Sequence, residues 1–507
     1  MGEVKAMPGV DNARLSGVLA PVTAENCNSG VPQGAGGVEV RADLFDTREE
    51  SLSLVSSLAG DFAVLVTPRH PSQGGAWRWS EQERASYCKE AIERGAVLVD
   101  VEHGTEAAAI LQGEGVKVLL SWHDFEGMIS GEDLEGLTSE MEAGDPVAIK
   151  VVPTAGKLAD AVRMLEWVER RGEPGPARIG FAMGPHGVAG RILSLSRGAP
   201  WTYGANGSTL APGQLPVQDM VELYRAGELD METRVFGVAG NPVGHSLSPA
   251  MHNPSLREAG INAVYLPFHL EKFSELDGCW DALNLDGLSV TIPFKADALK
   301  RADEVSEEAA RAGAVNTLVR GKEQEQSGDG LLRGMNTDFD GVLGPLRRHL
   351  GDLEGIEVAV VGNGGAARGA VQALLDAGAR PTIYCRNPER GGAVAGALGI
   401  EALPLRDIKP GAQRVVINST PLGLQEGDPS PVPAEVFTGE TIAFDMVYEP
   451  PMTSFLAQAT SQGARAIRGD EMLIAQGLVQ FELFTGLQAS PEAFAAGLEA
   501  ARSRKEA

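Results

Sequence analysis

Two lysines stand in apolar, strand-like runs of the sequence, where a charged side chain is uncommon. Lys150 interrupts the run 146–152, and Lys295 ends the run 287–295. Removing a lysine ammonium from water without a partner is costly, so a lysine in such a run has a shifted pKa, an ion-pair partner or a chemical role. Because the residues around the two lysines differ, we predict two separate active sites.

The elements that must position Lys150 are repeated strand–helix units. From about residue 16 to residue 224, short apolar runs alternate with amphipathic segments such as 157–170. The predicted strands are residues 37–41, 62–67, 96–102, 117–122, 147–152 and 178–182. Such repetition predicts parallel strands that close into a compact (β/α)8 barrel. Barrel enzymes place their catalytic residues at the C-terminal strand ends. Polar side chains occur there at Arg41, Arg69, Glu102, His123 and Lys150.

The remainder of the chain reads as two further α/β units after a polar linker at about 225–234. The residues from 469 onward have helical spacing of apolar side chains. At about 150 residues per domain, a chain of this length fits three domains. The predicted domains are a barrel at 1–228, a substrate-binding α/β domain at 229–335 that 469–507 completes, and a Rossmann dinucleotide-binding domain at 336–468.

The composition limits the classes of partner. The chain has 43 basic and 69 acidic residues and a formal charge of -26, a field that repels nucleic acid and anionic membranes. The four cysteines are far apart, which predicts a reducing compartment and no structural metal site. The N-terminus has no signal-peptide pattern, and no apolar stretch reaches the ~18 residues of a membrane span. We therefore expect a soluble, cytoplasmic enzyme with small-molecule substrates, and the oligomeric state stays open.

A glycine-rich turn in the third unit has the form G-x-G-x-x-A. It starts at Gly362, directly after the predicted strand 357–361, and it opens a helix. Such glycines let backbone N–H groups approach a pyrophosphate at the helix N-terminus. The next predicted strand ends in Arg386, where NAD-binding units usually carry an acid, and an arginine there accommodates a 2′-phosphate. With Arg390 assisting, this pattern predicts NADP(H).

Residues from about 234 to the C-terminus carry polar motifs in a fixed order. The motifs are Gly-Asn-Pro-Val-Gly-His-Ser-Leu-Ser-Pro-Ala-Met-His at 240–252, Val-Thr-Ile-Pro-Phe-Lys at 290–295, Gly-Ala-Val-Asn-Thr at 313–317, Asn-Thr-Asp at 336–338, Asn-Ser-Thr-Pro-Leu-Gly at 418–423, Val-Tyr at 447–448 and Met-Leu-Ile-Ala-Gln at 472–476. With these motifs the segment resembles shikimate dehydrogenase along its whole length.

The resemblance implies a catalytic pair, Lys295 and Asp338, in which Lys295 protonates the substrate oxygen and Asp338 holds Lys295 and binds substrate. Hydroxyls of Ser246 and Ser248 suit the carboxylate of shikimate. The other implied substrate-binding residues are Thr291, Asn316, Tyr448 and Gln476. The implied cofactor-binding residues are Gly362, Asn363, Gly364, Gly365, Ala366, Arg386, Arg390, Thr420, Met446 and Gly469.

The barrel segment, about 16–224, also carries short motifs in order. They are Glu-Val-Arg-Ala-Asp at 39–43, Thr-Pro-Arg at 67–69, Val-Asp-Val-Glu at 99–102, Ser-Trp-His-Asp-Phe at 121–125, Lys150 ten residues before Asp160, Met-Gly at 183–184, Arg-Ile at 191–192 and Ala-Pro-Gly-Gln at 211–214. In this order they resemble type I 3-dehydroquinate dehydratase, a Schiff-base enzyme.

That resemblance implies an iminium formed between Lys150 and a substrate ketone, which acidifies the neighbouring C–H. His123 takes that proton and then protonates the departing hydroxyl. Lys150 must be neutral to attack, and its apolar strand lowers its pKa. The implied substrate-binding residues are Glu39, Arg41, Arg69, Met183, Arg191, Tyr203 and Gln214.

Two positions depart from the dehydratase pattern. Gln73 stands where the family has an acid that orients the catalytic histidine, which predicts a lower pKa for His123 and activity held to lower pH. Leu210 stands where the family commonly has a serine, which removes one hydrogen bond of about 0.5–1.5 kcal/mol unless Thr209 replaces it.

The two resemblances fit each other, since the product of the dehydratase is the substrate of the dehydrogenase. They imply a bifunctional enzyme that dehydrates 3-dehydroquinate and reduces the resulting 3-dehydroshikimate to shikimate with NADPH. One alternative is an active shikimate dehydrogenase with a decayed, ligand-binding barrel. Another is a quinate/shikimate dehydrogenase that uses NAD, against which Ser248 and Arg386 argue.

Overall fold

The structure is a computed structural model in which residues 15–172, 175–321 and 330–506 are described. The start of the predicted barrel domain and the predicted lack of a signal-peptide pattern fall on residues 1–14, outside the described residues. The chain divides into two compact units, one made of residues up to Pro249 with Gly260–Asp286, and one made of Ala250–Ala259 with residues from Gly287 onward. The three predicted domain boundaries stay a prediction.

The first unit contains eight parallel strands in the order β7-β6-β5-β4-β3-β2-β1-β8. Their bounds are β1 Gly17–Val22, β2 Gly37–Val40, β3 Val64–Val66, β4 Leu98–Glu102, β5 Val118–His123, β6 Ala148–Val152, β7 Ala177–Gly180 and β8 Trp201–Tyr203. Six helices alternate with them, at α1 Arg48–Leu58, α2 Glu81–Glu93, α3 Glu106–Gly113, α4 Gly131–Glu142, α5 Leu158–Glu169 and α6 Val188–Leu193. This is the predicted (β/α)8 barrel.

The barrel register places polar side chains of three neighbouring strands side by side. Ser121 of β5 lies opposite Glu102 of β4 and opposite Lys150 of β6. Because side chains alternate between the two faces of a strand, residues two apart share a face. Asp100 and Glu102 therefore point to the same side of β4. Apolar residues on the opposite face pack against the helices.

The first unit continues with a parallel pair, β9 Arg234–Gly240 and β10 Ala263–His269. In the second unit β13 pairs antiparallel with both β11 and β14, and β14 pairs parallel with β12. These strands are β11 Leu285–Val290, β12 Glu304–Val305, β13 Thr317–Arg320 and β14 Leu332–Met335. The helices between β9 and the next sheet are α7 Ser248–Glu258, α8 Trp280–Leu283, α9 Lys295–Arg301, α10 Glu307–Ala312 and α11 Asp338–Leu350.

The last sheet has six parallel strands in the doubly wound order β17-β16-β15-β18-β19-β20. Its strands are β15 Glu357–Val361, β16 Arg380–Cys385, β17 Ala402–Pro404, β18 Val415–Asn418, β19 Ile442–Asp445 and β20 Arg465–Ile467. Its helices are α12 Gly365–Asp376, α13 Pro388–Leu398 and α14 Ser454–Ser461, and two more follow at α15 Gly469–Thr485 and α16 Pro491–Glu506. This order is typical of dinucleotide-binding sheets, and the predicted Rossmann fold is confirmed.

None of the helices in the described ranges is long and apolar enough to cross a membrane.

Candidate active sites

A pocket opens within the barrel. Its lining includes all nine residues that the sequence assigns to dehydratase catalysis and substrate binding, which are Glu39, Arg41, Arg69, His123, Lys150, Met183, Arg191, Tyr203 and Gln214. Gln73 and Leu210, the two departures from the family pattern, line it as well. Residues from six strands or the loops that follow them, and from α6, therefore converge on one cavity.

Lys150 lines this pocket and is buried, with 3% of its surface exposed. Its Nζ donates a hydrogen bond to Oδ2 of Asp100 at 2.9 Å and lies 4.3 Å from the centroid of the Tyr203 ring. Burial lowers the pKa of Lys150, although the charge of Asp100 acts in the opposite direction. The neutral amine, which is the nucleophilic form, is therefore more accessible than in a solvated lysine.

A buried network of charges surrounds Asp100. The carboxylate accepts hydrogen bonds from Arg69 at 2.8 Å and from the Ser121 hydroxyl at 2.5 Å. Arg69 also donates to Glu102 at 2.9 Å, and Arg84 donates to the other oxygen of Glu102 at 2.6 Å. Burial acts to raise the pKa of Asp100, but the charges of Arg69 and the adjacent lysine outweigh it and hold the carboxyl ionised.

The His123 ring is held by a single acceptor, the side-chain oxygen of Gln73. Oε1 of Gln73 lies 3.0 Å from Nδ1 of His123 and also accepts the backbone N–H of His123 at 2.9 Å. The same Nδ1 lies 3.4 Å from the NH1 donor of Arg69, but its shorter contact is with the amide oxygen, which only accepts. We therefore assign the proton to Nδ1, which leaves Nε2 a lone pair that can act as a base. Burial lowers the pKa of His123 well below its ordinary value, and the charges of Arg69 and Lys150 lower it further.

Arg191 differs from the other buried arginines of the barrel because no carboxylate pairs with it among the described residues. Its NH1 donates to the carbonyl of Tyr203 at 3.4 Å, and its guanidinium lies 4.2 Å from the centroid of the Phe181 ring. Its Nε and NH2 have no hydrogen-bond partner in the described ranges. Burial lowers the pKa of Arg191 to about 9. A buried cation with unused donors indicates a place for an anionic group of a ligand.

The second unit contains a polar cluster around Lys295. Its Nζ donates to Oδ2 of Asp338, and Oδ1 of Asp338 accepts a hydrogen bond from the Asn316 side chain at 2.9 Å. Gln476 joins the cluster, because its Oε1 accepts from the Thr337 hydroxyl at 3.4 Å. The side chains of Lys295 and Asp338 are 31% and 26% exposed, so both remain accessible to a ligand.

Two other predicted dehydrogenase residues of the second unit, Thr291 and Tyr448, make no hydrogen bond to that cluster among the described residues. Thr291 lies in the turn before α9, where its carbonyl accepts from the Phe294 backbone. Tyr448 follows β19, and burial raises its pKa. Ser246 and Ser248 belong to the first unit, where the backbone N–H of Ser248 donates to the Ser246 hydroxyl at 3.3 Å.

The glycine-rich turn has the geometry that a pyrophosphate needs. Gly362 has a φ of 124°, and a Cβ there would lie 2.6 Å from the Ser419 hydroxyl oxygen, so only glycine fits. A Cβ at Gly364 or Gly365 would meet no atom within 4 Å, which leaves open space at the start of α12. The side chains there therefore leave room for a phosphate at the helix N-terminus.

The other predicted cofactor residues lie around the C-terminal ends of the same strands. Arg386 directly follows β16 and is exposed, as a residue facing a ligand phosphate must be. Asn363 lies in the glycine turn and Ala366 in the first turn of α12. The rest lie in α13 (Arg390), after β18 (Thr420), after β19 (Met446) and at the start of α15 (Gly469).

Comparisons with known proteins match two parts of the chain to two different enzyme families. A family model for type I 3-dehydroquinase matches residues 23–230. A family model for the shikimate dehydrogenase substrate binding domain matches residues 238–318.

One relative spans both halves. It is a chloroplastic bifunctional 3-dehydroquinate dehydratase/shikimate dehydrogenase of Arabidopsis thaliana, 31% identical over 509 residues, which cover 94% of this chain and 83% of the relative. The chain belongs to this bifunctional family. The shikimate dehydrogenase (NADP(+)) of Halorubrum lacusprofundi is 41% identical over 273 residues, covering 52% of this chain and 98% of that protein. A solved shikimate dehydrogenase in complex with NADP+ is 30% identical, covers 54% of this chain and 96% of its own, and superposes with a TM-score of 0.50.

The residue of this bifunctional enzyme that sequence reasoning missed is Asp100. The motif 99–102 was recognised, but only Glu102 stands at the strand end, and Asp100 reads as one acid inside an apolar run. The structure places Asp100 directly against Lys150. The available signal was the buried acid itself, since an ionised carboxylate within an apolar strand requires a cationic partner.

Proposed function

We propose that the barrel pocket dehydrates 3-dehydroquinate through an imine on Lys150 and that the Lys295–Asp338 site reduces 3-dehydroshikimate to shikimate. The observation that carries the first half is the buried, pKa-lowered Lys150 amine in one pocket with the His123 base. For the second half it is the accessible Lys295–Asp338 pair.

In the dehydratase half, the neutral amine of Lys150 adds to the substrate ketone, and the adduct takes up one proton and loses water, which forms the iminium. This proton is returned when the iminium is hydrolysed. Nε2 of His123 removes a proton from the carbon next to the iminium, and the electron pair of that C–H bond enters the conjugated system. The hydroxyl one carbon further departs as water with the proton that His123 returns. Hydrolysis of the iminium then releases 3-dehydroshikimate and regenerates Lys150.

The remaining pocket residues bind and orient the substrate. Arg191 is the proposed partner of the substrate carboxylate, since its Nε and NH2 donors have no partner among the described residues. Asp100 balances the charge that Lys150 gains as an iminium. Glu39, whose Oε1 accepts from the Thr67 hydroxyl at 2.8 Å, is placed to bind substrate hydroxyls with its other oxygen.

In the dehydrogenase half, Lys295 donates a proton to the oxygen of the carbonyl as it is reduced. Asp338 fixes the ammonium, and Asn316 fixes Asp338 by a 2.9 Å hydrogen bond. Asn316 and Gln476 are placed to bind ring hydroxyls, and a site of this kind rejects analogues that leave its polar groups unpaired. Ser246 and Ser248 are the proposed partners of the carboxylate.

The proposed cofactor is NADP(H), which when bound supplies the hydride. The backbone N–H groups of Gly364 and Gly365 at the start of α12 would hold the pyrophosphate, because nothing in the described structure occupies that approach. Arg386, assisted by Arg390, would pair with the 2′-phosphate.

The compartment is proposed to be reducing, as the cytoplasm is. The four cysteines, Cys27, Cys88, Cys279 and Cys385, are free thiols, which supports this proposal.

Adding 3-dehydroquinate and then NADPH to the purified full-length chain tests both halves together. We expect the enone absorbance to appear before NADPH is added, and NADPH absorbance to fall afterwards. A parallel reaction with NADH should be much slower, because an arginine favours the 2′-phosphate. Enone formation without loss of NADPH would contradict the reductase, and loss of NADPH only from added 3-dehydroshikimate would favour the decayed barrel.

Gln73 predicts a specific pH dependence for the dehydratase. Only neutral His123 is a base, so activity is lost as pH falls through its pKa, which burial and neighbouring cations lower. Gln73→Glu places a negative charge at the atom 3.0 Å from Nδ1 and favours the protonated ring. We expect the acidic limb of the kcat profile for 3-dehydroquinate, which reports His123 once Lys150 has become the iminium, to move upward by about one to three pH units.

A matched control separates the local charge from a general increase in negative charge. Gln462→Glu adds the same charge at an exposed position after α14, and its profile should coincide with that of the parent. An acidic limb that stays in place in Gln73→Glu would show that Gln73 does not set the pKa of His123.

A further inference from the structure

Two histidines and a glutamate converge in the first unit, and none of them lines the dehydratase pocket. His186 lies in a one-turn helix, Pro185–Gly187, shortly after β7, and His269 is the last residue of β10. One ligand atom from each of His186, His269 and Glu271 lies within 4.8 Å of the other two. No other group of three such side chains meets this condition in the described parts of the chain.

One of the three separations in the cluster matches that of a tetrahedral metal site, in a pair that makes a hydrogen bond in the structure, and all three ligand atoms lie within 4.8 Å of one another. With bonds of about 2.0–2.1 Å, two ligand atoms of a zinc ion lie about 3.4 Å apart. Nε2 of His269 and Oε1 of Glu271 are 3.4 Å apart. The His186 and His269 rings meet edge to face with centroids 4.9 Å apart.

The surroundings of the His186 side chain are a second, independent observation that indicates a metal-binding site. The side chain is buried, with 7% of its surface exposed, and its Nε2 makes no hydrogen bond to any described residue. The nearby Oε2 of Glu275 is 3.8 Å away, which is beyond hydrogen-bond distance. A buried imidazole nitrogen without a partner requires an explanation, and a metal ion supplies one.

Glu275 supports the cluster from outside the ligand set. Its Oε1 accepts the backbone N–H groups of Glu271 and Lys272 at 2.8 and 2.9 Å, which fixes the turn that carries Glu271. Its Oε2 accepts the backbone N–H of Leu158 at 3.0 Å, at the start of α5. Its negative charge beside His186 also favours a cation there.

We propose that His186, His269 and Glu271 bind one divalent zinc-class ion, with water in the fourth position. Two imidazoles and one carboxylate suit zinc, whereas calcium and magnesium prefer oxygen ligands. Because His186 belongs to the barrel and His269 to β10, the ion ties these two parts of the first unit together. The sequence predicts no metal, since His186 lies far along the chain from His269 and Glu271.

Calorimetric titration of the metal-free full-length chain with Zn²⁺ tests this site, with Co²⁺ absorption as a report on geometry. We expect one tight equivalent and an intense visible Co²⁺ spectrum of a four-coordinate ion. Since loss of a mere supporting group costs about 10- to 100-fold in metal affinity, His269→Gln and Glu271→Gln should each cost more than about 100-fold. Glu271 is exposed, so its variant is expected to fold.

The control is His103→Gln. Nε2 of His103 lies 3.5 Å from Oε2 of Glu140, and no third potential metal ligand joins this pair among the described residues. Its zinc affinity should equal that of the parent. Zinc should also raise the unfolding temperature of the parent and of His103→Gln, and not that of His269→Gln. Absence of a stoichiometric site, or equal affinity in Glu271→Gln and His103→Gln, would overturn the proposal. None of these measurements depends on either enzymatic activity.

Discussion

Lys150→Met should abolish dehydration of 3-dehydroquinate and leave reduction of 3-dehydroshikimate unchanged. The substitution removes the nucleophile from which the imine forms, and loss of a covalent nucleophile costs about 10⁴-fold or more in kcat. Methionine has a similar length and fits a buried, apolar strand. Asp100 stays paired with Arg69 at 2.8 Å, so the variant buries no unpaired charge and should fold.

Borohydride provides a second measurement that does not depend on turnover. It reduces an iminium to a stable amine, so incubation of the parent with 3-dehydroquinate and borohydride should add one substrate-derived mass at the peptide containing Lys150. Lys150→Met should gain none. Lys89→Met is the matched control, because Lys89 is an exposed lysine paired with Glu114 and lies outside the pocket. A labelled Lys150→Met chain would contradict the Schiff-base assignment.

The sequence could predict that polar side chains gather at one end of the barrel because that information is local. Arg41, Arg69, Glu102 and His123 stand at or just after the C-terminal ends of their strands, and parallel strands bring those ends together. His123 and Lys150 fall on adjacent strands, and the register confirms that β5 and β6 are neighbours. The motif order therefore sufficed to predict which side chains line one pocket.

The contacts between these side chains were harder to predict. The hydrogen bond from Lys150 to Asp100 joins β6 to β4 across β5, so it depends on the register of three strands and on the inward direction of both side chains. The sequence likewise could not predict that Nε and NH2 of Arg191 have no partner among the described residues, because this depends on which acids reach the pocket. Asp43, an acid of the recognised motif, instead pairs with Arg41.

The same limit applies to the cluster at His186. His186 and His269 lie on segments that the chain separates by two helices, two strands and the linker. Their proximity depends on how β10 packs near the barrel, which no periodicity in the sequence encodes. Sequence motifs indicate secondary-structure elements and protein families. A site that combines residues from two distant segments can be identified only from the three-dimensional structure.

Asp338→Asn should lower kcat for shikimate oxidation with NADP+ by about 10²- to 10⁴-fold, the range of a lost acid–base function. The carboxylate joins two donors, the Lys295 ammonium on one oxygen and the Asn316 amide on the other. Asparagine offers one acceptor and one NH₂ group, so one of these two donors then faces another donor. It also removes the charge that fixes Lys295. The substitution is nearly isosteric, and the dehydratase activity should be retained.

Lys295→Met, alone and combined with Asp338→Asn, decides whether the two side chains act as one unit. If Asp338 works by holding Lys295, the double variant should be about as slow as the slower single variant, because residues that act together are strongly non-additive. The control is Lys300→Met on the same helix, since Lys300 forms an exposed pair with Asp297 and should keep the parental kcat. Multiplicative losses in the double variant would show that Asp338 acts on the substrate independently of Lys295. A loss confined to KM would show that the pair binds substrate without moving the proton.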